Sequence, residues 1–215
     1  LLGAGNSDQD GEFSATVLKA LNWLKTQQDP RGVIGTTEDT RYMYMHAIGT
    51  LVMVEAAGLN PSGPWKGCAE KAIDYLLKCQ SPKQGWRYGE KPKDSDVTVT
   101  VWAVMALKAA DSLHYRTSLS ALSDASLFVK KVMDEKTFQV GYLSKMDGPY
   151  RAPEQAKRFP PGESESTTAC AMVIKILTGE EPRISSLIHA QAKLVLDKPP
   201  KWQKDTGTAD YFYWQ

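Results

Sequence analysis

The strongest constraint on the fold is that helical segments of two kinds alternate along the chain. Val17, Leu18, Leu21 and Leu24 form one apolar stripe with Lys19, Asn22, Lys25 and Thr26 opposite, the pattern of a helix lying on a core. Asp29-Pro30-Arg31-Gly32 closes it with a turn. The next segment, residues 44–57, carries Ala47, Ile48, Leu51, Val52, Met53, Val54 and Ala56 and leaves almost no polar face. It should be a helix buried all round, with Gly58 as its C-cap. Residues 67–80 are amphipathic again and residues 97–110 apolar nearly throughout; residues 119–133, 169–177 and 184–196 continue the alternation. Val97-Thr98-Val99-Thr100-Val101 alternates like a strand, but its continuation through Ala109-Ala110 has helical propensity and predicts a helix. About seven helices result, with an eighth starting at Thr208 and interrupted at Tyr211-Phe212-Tyr213-Trp214.

The alternation is also a repeat. Glu55, Lys108 and Lys175 stand near the ends of the three apolar helices, 53 and 67 residues apart, and the extra length of the last interval falls in residues 146–162. Each unit is an amphipathic helix, a Gly-containing loop and an apolar helix, so the chain reads as one domain of about four helical hairpins over residues 1–215. Apolar helices need shielding on both sides, which places them in an inner layer behind an outer amphipathic one.

Charge narrows the partners. Lys and Arg number 26 against 25 Asp and Glu, and the basic residues are scattered, so a phosphate backbone finds little to hold and nucleic acid is not an expected partner. No apolar run reaches the roughly 20 residues of a membrane-spanning helix. Cys68, Cys79 and Cys170 are an odd number in a chain of 215 residues, which points to free thiols and a reducing compartment such as the cytoplasm. No signal peptide pattern opens the chain, and its start at Leu1 suggests a piece of something longer.

The loops carry a sharper signal. Lys71-Ala72, Tyr75-Leu76, Gln80 and Gly85-Trp86 closely resemble the QW motif of squalene and oxidosqualene cyclases. Lys19-Ala20, Trp23-Leu24, Gln28, Gly32 and Ile34 repeat it with Ile in the Trp position, and Phe128-Val129, Met133 and Gly141-Tyr142 give a degraded third copy. A fourth, from about Ala190 to Trp202, is poorer still. The chain thus resembles the prenyltransferase and squalene oxidase/cyclase repeat superfamily, most closely bacterial repeat proteins with Gly85-Trp86-Arg87-Tyr88 and the helix beginning Val99-Thr100-Val101-Trp102. The resemblance implies an all-α fold, an α/α toroid of helical hairpins. Seven or eight helices would form only an incomplete ring, leaving inner-helix surface for a partner or a second copy. The motif residues Gln28, Gly32, Gln80, Gly85 and Trp86 read as structural: the glutamine amide bonds backbone at a neighbouring helix end and the ring covers it.

In such toroids the substrate lies near the loops that start the inner helices. Class II terpene cyclases carry an Asp-x-Asp-Asp-Thr acid motif there. Asp94-Ser95-Asp96-Val97-Thr98 matches its first two acids and its Thr but has Val97 for the third. The resemblance makes Asp96 a general acid with Asp94 as partner, yet an Asp or Ser just before an apolar helix also serves as an N-cap. Prenyltransferase β subunits bind zinc through Asp, Cys and His. Here only His46, His114 and His189 occur, none paired at ligand spacing, so no metal and no cofactor is expected. Gly67-Cys68-Ala69-Glu70-Lys71 is similar to the thioester sequence of complement-like proteins, but Lys71 replaces the required Gln. Tyr42, Tyr44, His46, Thr98 and Trp102 are the inner-face candidates. The expectation is a non-catalytic scaffold binding a protein, a glycan or a lipid-like molecule, with a terpenoid cyclase-like enzyme acting through Asp96 as the alternative.

Overall fold

Each periodic segment folds as a helix within three residues of its expected ends. The computed structural model describes residues 1–203 and 208–209. After a 3-10 turn at Leu2–Ala4 come α1 (Ser14–Thr26), α2 (Tyr42–Leu59), α3 (Lys66–Cys79), α4 (Val97–Ser112), α5 (Leu119–Lys131), α6 (Pro153–Arg158), α7 (Ser166–Leu177) and α8 (Ser186–Asp197). The segment at Val97 is helical, as its continuation required. α6 was not expected: it is a six-residue turn within the long third loop, with Pro153 at its first position and Ala152 extended before it, as a residue preceding proline prefers. The helix expected to start at Thr208 is not formed there. Thr208–Ala209 instead pairs antiparallel with Trp202–Gln203, and Tyr211 to Trp214 lie outside the described residues.

The apolar helices lie side by side, α4 between α2 and α7, while α3 packs on α2 and α4, α5 on α4 and α7, α8 on α7 and α1 on α2. Between the layers lies one core that includes Met43, Met53, Ile73, Leu76, Trp86 and Leu107. Complete burial of α2 is corrected, however. Met45 is exposed and Ile48 and Val52 are half-buried; Trp102 and Met105 on α4 and Val173 and Ile176 on α7 continue this partly open apolar face. The inner helices are therefore shielded on one side by the amphipathic layer and show apolar side chains on the other. Gly58 is corrected too: α2 runs through it to an Asn60 cap. A Cβ there would stand 2.8 Å from a Leu113 methyl carbon, so Gly58 permits close helix approach rather than ending the helix.

The repeat is written in hydrogen bonds. Asp29, Ser81 and Asp134 each donate their backbone N–H to a carbonyl across a short loop, at Val33, Gly85 and Gln139. The next residue in each case donates its own N–H to an inner helix: Ile34 to His46 Nδ1 at 3.1 Å, Trp86 to Thr100 Oγ1 at 3.0 Å and Val140 to Thr168 Oγ1 at 3.2 Å. This register equates Ile34 with Trp86, as the motif suggested, but equates Val140 with them where Tyr142 was expected.

The glutamines behave alike in the two good copies. Gln28 Nε2 donates to the carbonyls of Cys68 and Gly32, and Gln80 Nε2 to those of Ala121 and Gln84. Cys68 and Ala121 are each the third residue of the next outer helix. The two motif glycines are not equivalent: Gly32 adopts a left-handed φ of 97°, whereas Gly85 admits the Thr100 hydroxyl, which would lie 2.1 Å from a Cβ. In the degraded third copy Met133 cannot donate, and buried Gln191 on α8 supplies the amide from the other side, to Phe138 O at 3.1 Å.

Candidate functional site

Asp96 sits at the N-cap of α4, where its Oδ1 accepts from Val99 N at 2.7 Å and from Thr98 Oγ1 at 2.9 Å. It is fully buried, and Oδ2 has no hydrogen-bond partner among the described residues; Arg87 Nε lies 3.9 Å away. Burial pushes its carboxyl up to about 6, against the lowering effects of Val99 N–H, of the Thr98 and Tyr142 hydroxyls and of Arg87. Asp94 is not its partner acid. That side chain is half-exposed and paired with Arg87 Nη1, so the guanidinium stands where a second carboxylate was expected.

The hydroxyl of Thr98 continues the chain of contacts outward to Tyr44 OH. Tyr88 OH and Tyr142 OH bond at 3.0 Å, the Tyr44 and Tyr88 rings lie 6.2 Å apart, and Tyr142 stacks on Tyr150 at 6.4 Å. Arg87 covers the Tyr88 ring at 5.3 Å. Desolvation and the charge of Asp96 both push the Tyr44 and Tyr142 phenols up, so these phenols remain neutral donors and acceptors.

These rings bound a pocket of about 390 Å³ with Met45, Ile48 and Trp102 on its apolar side and Asp39 and Arg41 among its polar residues, a size suited to a small organic molecule. Pro149, Tyr150, Ala152 and Gln155 belong to its lining, so the extra length of the third repeat builds one wall. Ser166, the first residue of α7, also lines it; its hydroxyl is buried without a partner among the described residues. Asp96 is not in the lining: Thr98 and Tyr44 stand between it and the opening.

Of the inner-face candidates, Tyr44, Thr98 and Trp102 meet at this pocket. Tyr42 and His46 do not. Both are buried against α3, where Tyr42 OH bonds Tyr75 OH at 2.9 Å and the His46 ring meets the Tyr75 ring edge-on at 5.0 Å. His46 lies largely desolvated, its pKa lowered to about 4, and it clamps the Ile34 loop. Trp86 is buried with its indole N–H on Leu76 O at 2.7 Å, a packing role. Tyr142 and Tyr150 escaped sequence reasoning as site residues, since nothing in local spacing marks a loop tyrosine as facing a helix two repeats away.

A larger cavity of about 490 Å³, between the end of α2, α3 and the α4–α5 turn, has charges of both signs at Lys66, Glu70, Asp74 and Arg116 and contains none of the candidates. Among the described residues no three His, Cys, Asp or Glu side chains gather to hold a metal ion. The three cysteines are free, and no described helix is long and apolar enough to cross a membrane. Comparison of the chain with known protein families, with curated proteins and with solved structures returns no match.

Proposed function

We propose that this protein is a non-catalytic helical-repeat scaffold, its hairpins arranged as an incomplete α/α toroid of the prenyltransferase and squalene cyclase type, that binds a lipid-like small molecule on its inner face. The observation that carries the reading is the pocket of about 390 Å³ in which Met45, Ile48 and Trp102 meet a cluster of tyrosines. An apolar surface with a few convergent polar groups is the ordinary make-up of a ligand site. The motif glutamines and Trp86 support the scaffold part, because each satisfies backbone rather than facing the pocket.

The second reading is an enzyme in which Asp96 protonates an alkene, favoured by a carboxyl raised to about 6. Burial behind Thr98 and the guanidinium beside it weigh against it, because an acid must reach the atom it protonates. Nile red titration tests the binding reading. Saturable binding is expected, weakened about tenfold in Trp102→Ala, the scale for losing a buried aromatic contact, in variant protein shown by circular dichroism to be folded. No saturable binding would overturn it. Turnover of a polyprene that disappears in Asp96→Asn would replace it with the enzyme.

A further inference from the structure

The hydrogen-bond chain behind the pocket has a direction. Asp96 Oδ1 accepts from both Val99 N and Thr98 Oγ1, so the Thr98 proton is committed to the carboxylate. Thr98 and Tyr44 are also hydrogen-bonded to each other. With the threonine proton spent, the Tyr44 hydroxyl must be the donor of that bond. Its oxygen therefore offers lone pairs only, at a pocket whose lining includes Met45, Ile48 and Trp102.

We infer that the pocket recognises a mainly apolar molecule without positive charge through one hydroxyl group that donates its proton to the Tyr44 oxygen. The inference rests on the binding reading above and names its ligand class. Asp96 acts as a positioning residue: it never touches the ligand but orients Thr98 and, through it, Tyr44. The buried hydroxyl of Ser166, unpartnered among the described residues, is a second polar group in the same lining, able to donate to a ligand oxygen. A positive charge on the ligand is disfavoured, because an ammonium would lie beside Met45, Ile48 and Trp102 and share the lining with the guanidinium groups of Arg41 and Arg151.

The test displaces Nile red with 1-octanol, octyl methyl ether and octylamine, which share a chain and differ in the head. The alcohol is expected to displace the dye at roughly tenfold lower concentration than the ether, the scale of one net hydrogen bond. Tyr44→Phe should erase that difference by weakening the alcohol alone. Thr98→Val frees the Tyr44 proton for the ligand and should erase it the other way, by strengthening the ether. Equal potency of alcohol and ether on the unaltered protein, or a preference that survives Tyr44→Phe, would overturn the inference while leaving the binding reading intact. An amine that outcompetes the alcohol would overturn the exclusion of a cationic ligand. Failure of Nile red itself to bind overturns the binding reading, and this inference with it.

Discussion

Gln80 Nε2 lies 2.8 Å from the carbonyl of Ala121, tying the end of one outer helix to the first turn of the next. The same nitrogen donates to Gln84 O at 2.8 Å, so one amide holds both its own loop and its neighbour. Gln80→Ala should lose these bonds at a cost of about 1–2 kcal/mol. Gln80→Glu should cost more at neutral pH, because a carboxylate would face two carbonyl oxygens with nothing to donate. Urea unfolding of the two variants checks the order, and an Ala variant as stable as the unaltered protein would show that the bonds contribute little.

Thr100 makes a reciprocal pair with the motif tryptophan's backbone: its hydroxyl accepts from Trp86 N at 3.0 Å and donates to Trp86 O at 3.3 Å. The site is fully buried. Thr100→Val keeps the shape but leaves the buried Trp86 N–H unpaired, its carbonyl still accepting from Asp96 N at 3.0 Å, which should cost about 1–3 kcal/mol. Thr168→Val, at the same register position of α7, should behave similarly. Denaturant midpoints within experimental error of the unaltered protein would rule out the clamp as a stabilising device.

The alternation of helix types was legible because burial on one face or several is a periodic property of the sequence itself. The site was legible only in part, and the reason is angular. Tyr42, Tyr44 and His46 cluster in sequence, but residues four apart share a helix face while the one midway points nearly opposite. Tyr42 and His46 therefore enter the interlayer core together, and Tyr44 faces the pocket. Helical period alone could have separated them. No local rule could have paired Asp94 with Arg87 in place of Asp96, or brought Tyr142 and Tyr150 to α2 and α4, since those contacts depend on loop paths. The third motif copy was misaligned for a related cause: aromaticity drew Tyr142 onto the Trp86 position, whereas backbone pairing puts Val140 there.

Two buried groups titrate in opposite directions over one pH range. Asp96 is raised to about 6 from the ordinary 3.8, so the folded protein holds this proton more tightly and the carboxyl costs stability as pH rises from about 4 to 6. His46 is lowered to about 4 from 6.5, so the folded protein resists protonation there, and stability falls as pH drops through the same range. Each effect is of the order of 3 kcal/mol, and in the unaltered protein they largely cancel. Asp96→Asn keeps a capping oxygen and should expose the His46 effect, losing stability faster than the unaltered protein between pH 6.5 and 4. His46→Thr, which copies the residue found at positions 100 and 168, should expose the Asp96 effect and gain stability over that interval. Thermal unfolding from pH 4 to 7 measures both; parallel profiles for all three proteins would show that neither group is perturbed.

Glycines at 85 and 89 separate two uses of the same residue. Gly85 has no left-handed backbone, but an added Cβ would fall 2.1 Å from Thr100 Oγ1 and 2.8 Å from its methyl carbon, within the clamp that fixes the Trp86 loop to α4. Gly89 has a φ of 93° with nothing within 4 Å of an added Cβ. Alanine at 89 meets only backbone strain, of order 1–2 kcal/mol. At position 85 alanine must push Thr100 off its bonds to Trp86, combining overpacking with an unpaired Trp86 N–H, and should cost about 3 kcal/mol or more. The double variant Gly85→Ala with Thr100→Ala removes both colliding atoms, the hydroxyl oxygen and the methyl carbon, and should recover the overpacking part of that loss. Equal destabilisation by Gly85→Ala and Gly89→Ala, with no recovery in the double variant, would mean that the motif glycine is chosen for backbone freedom and not for the approach of Thr100.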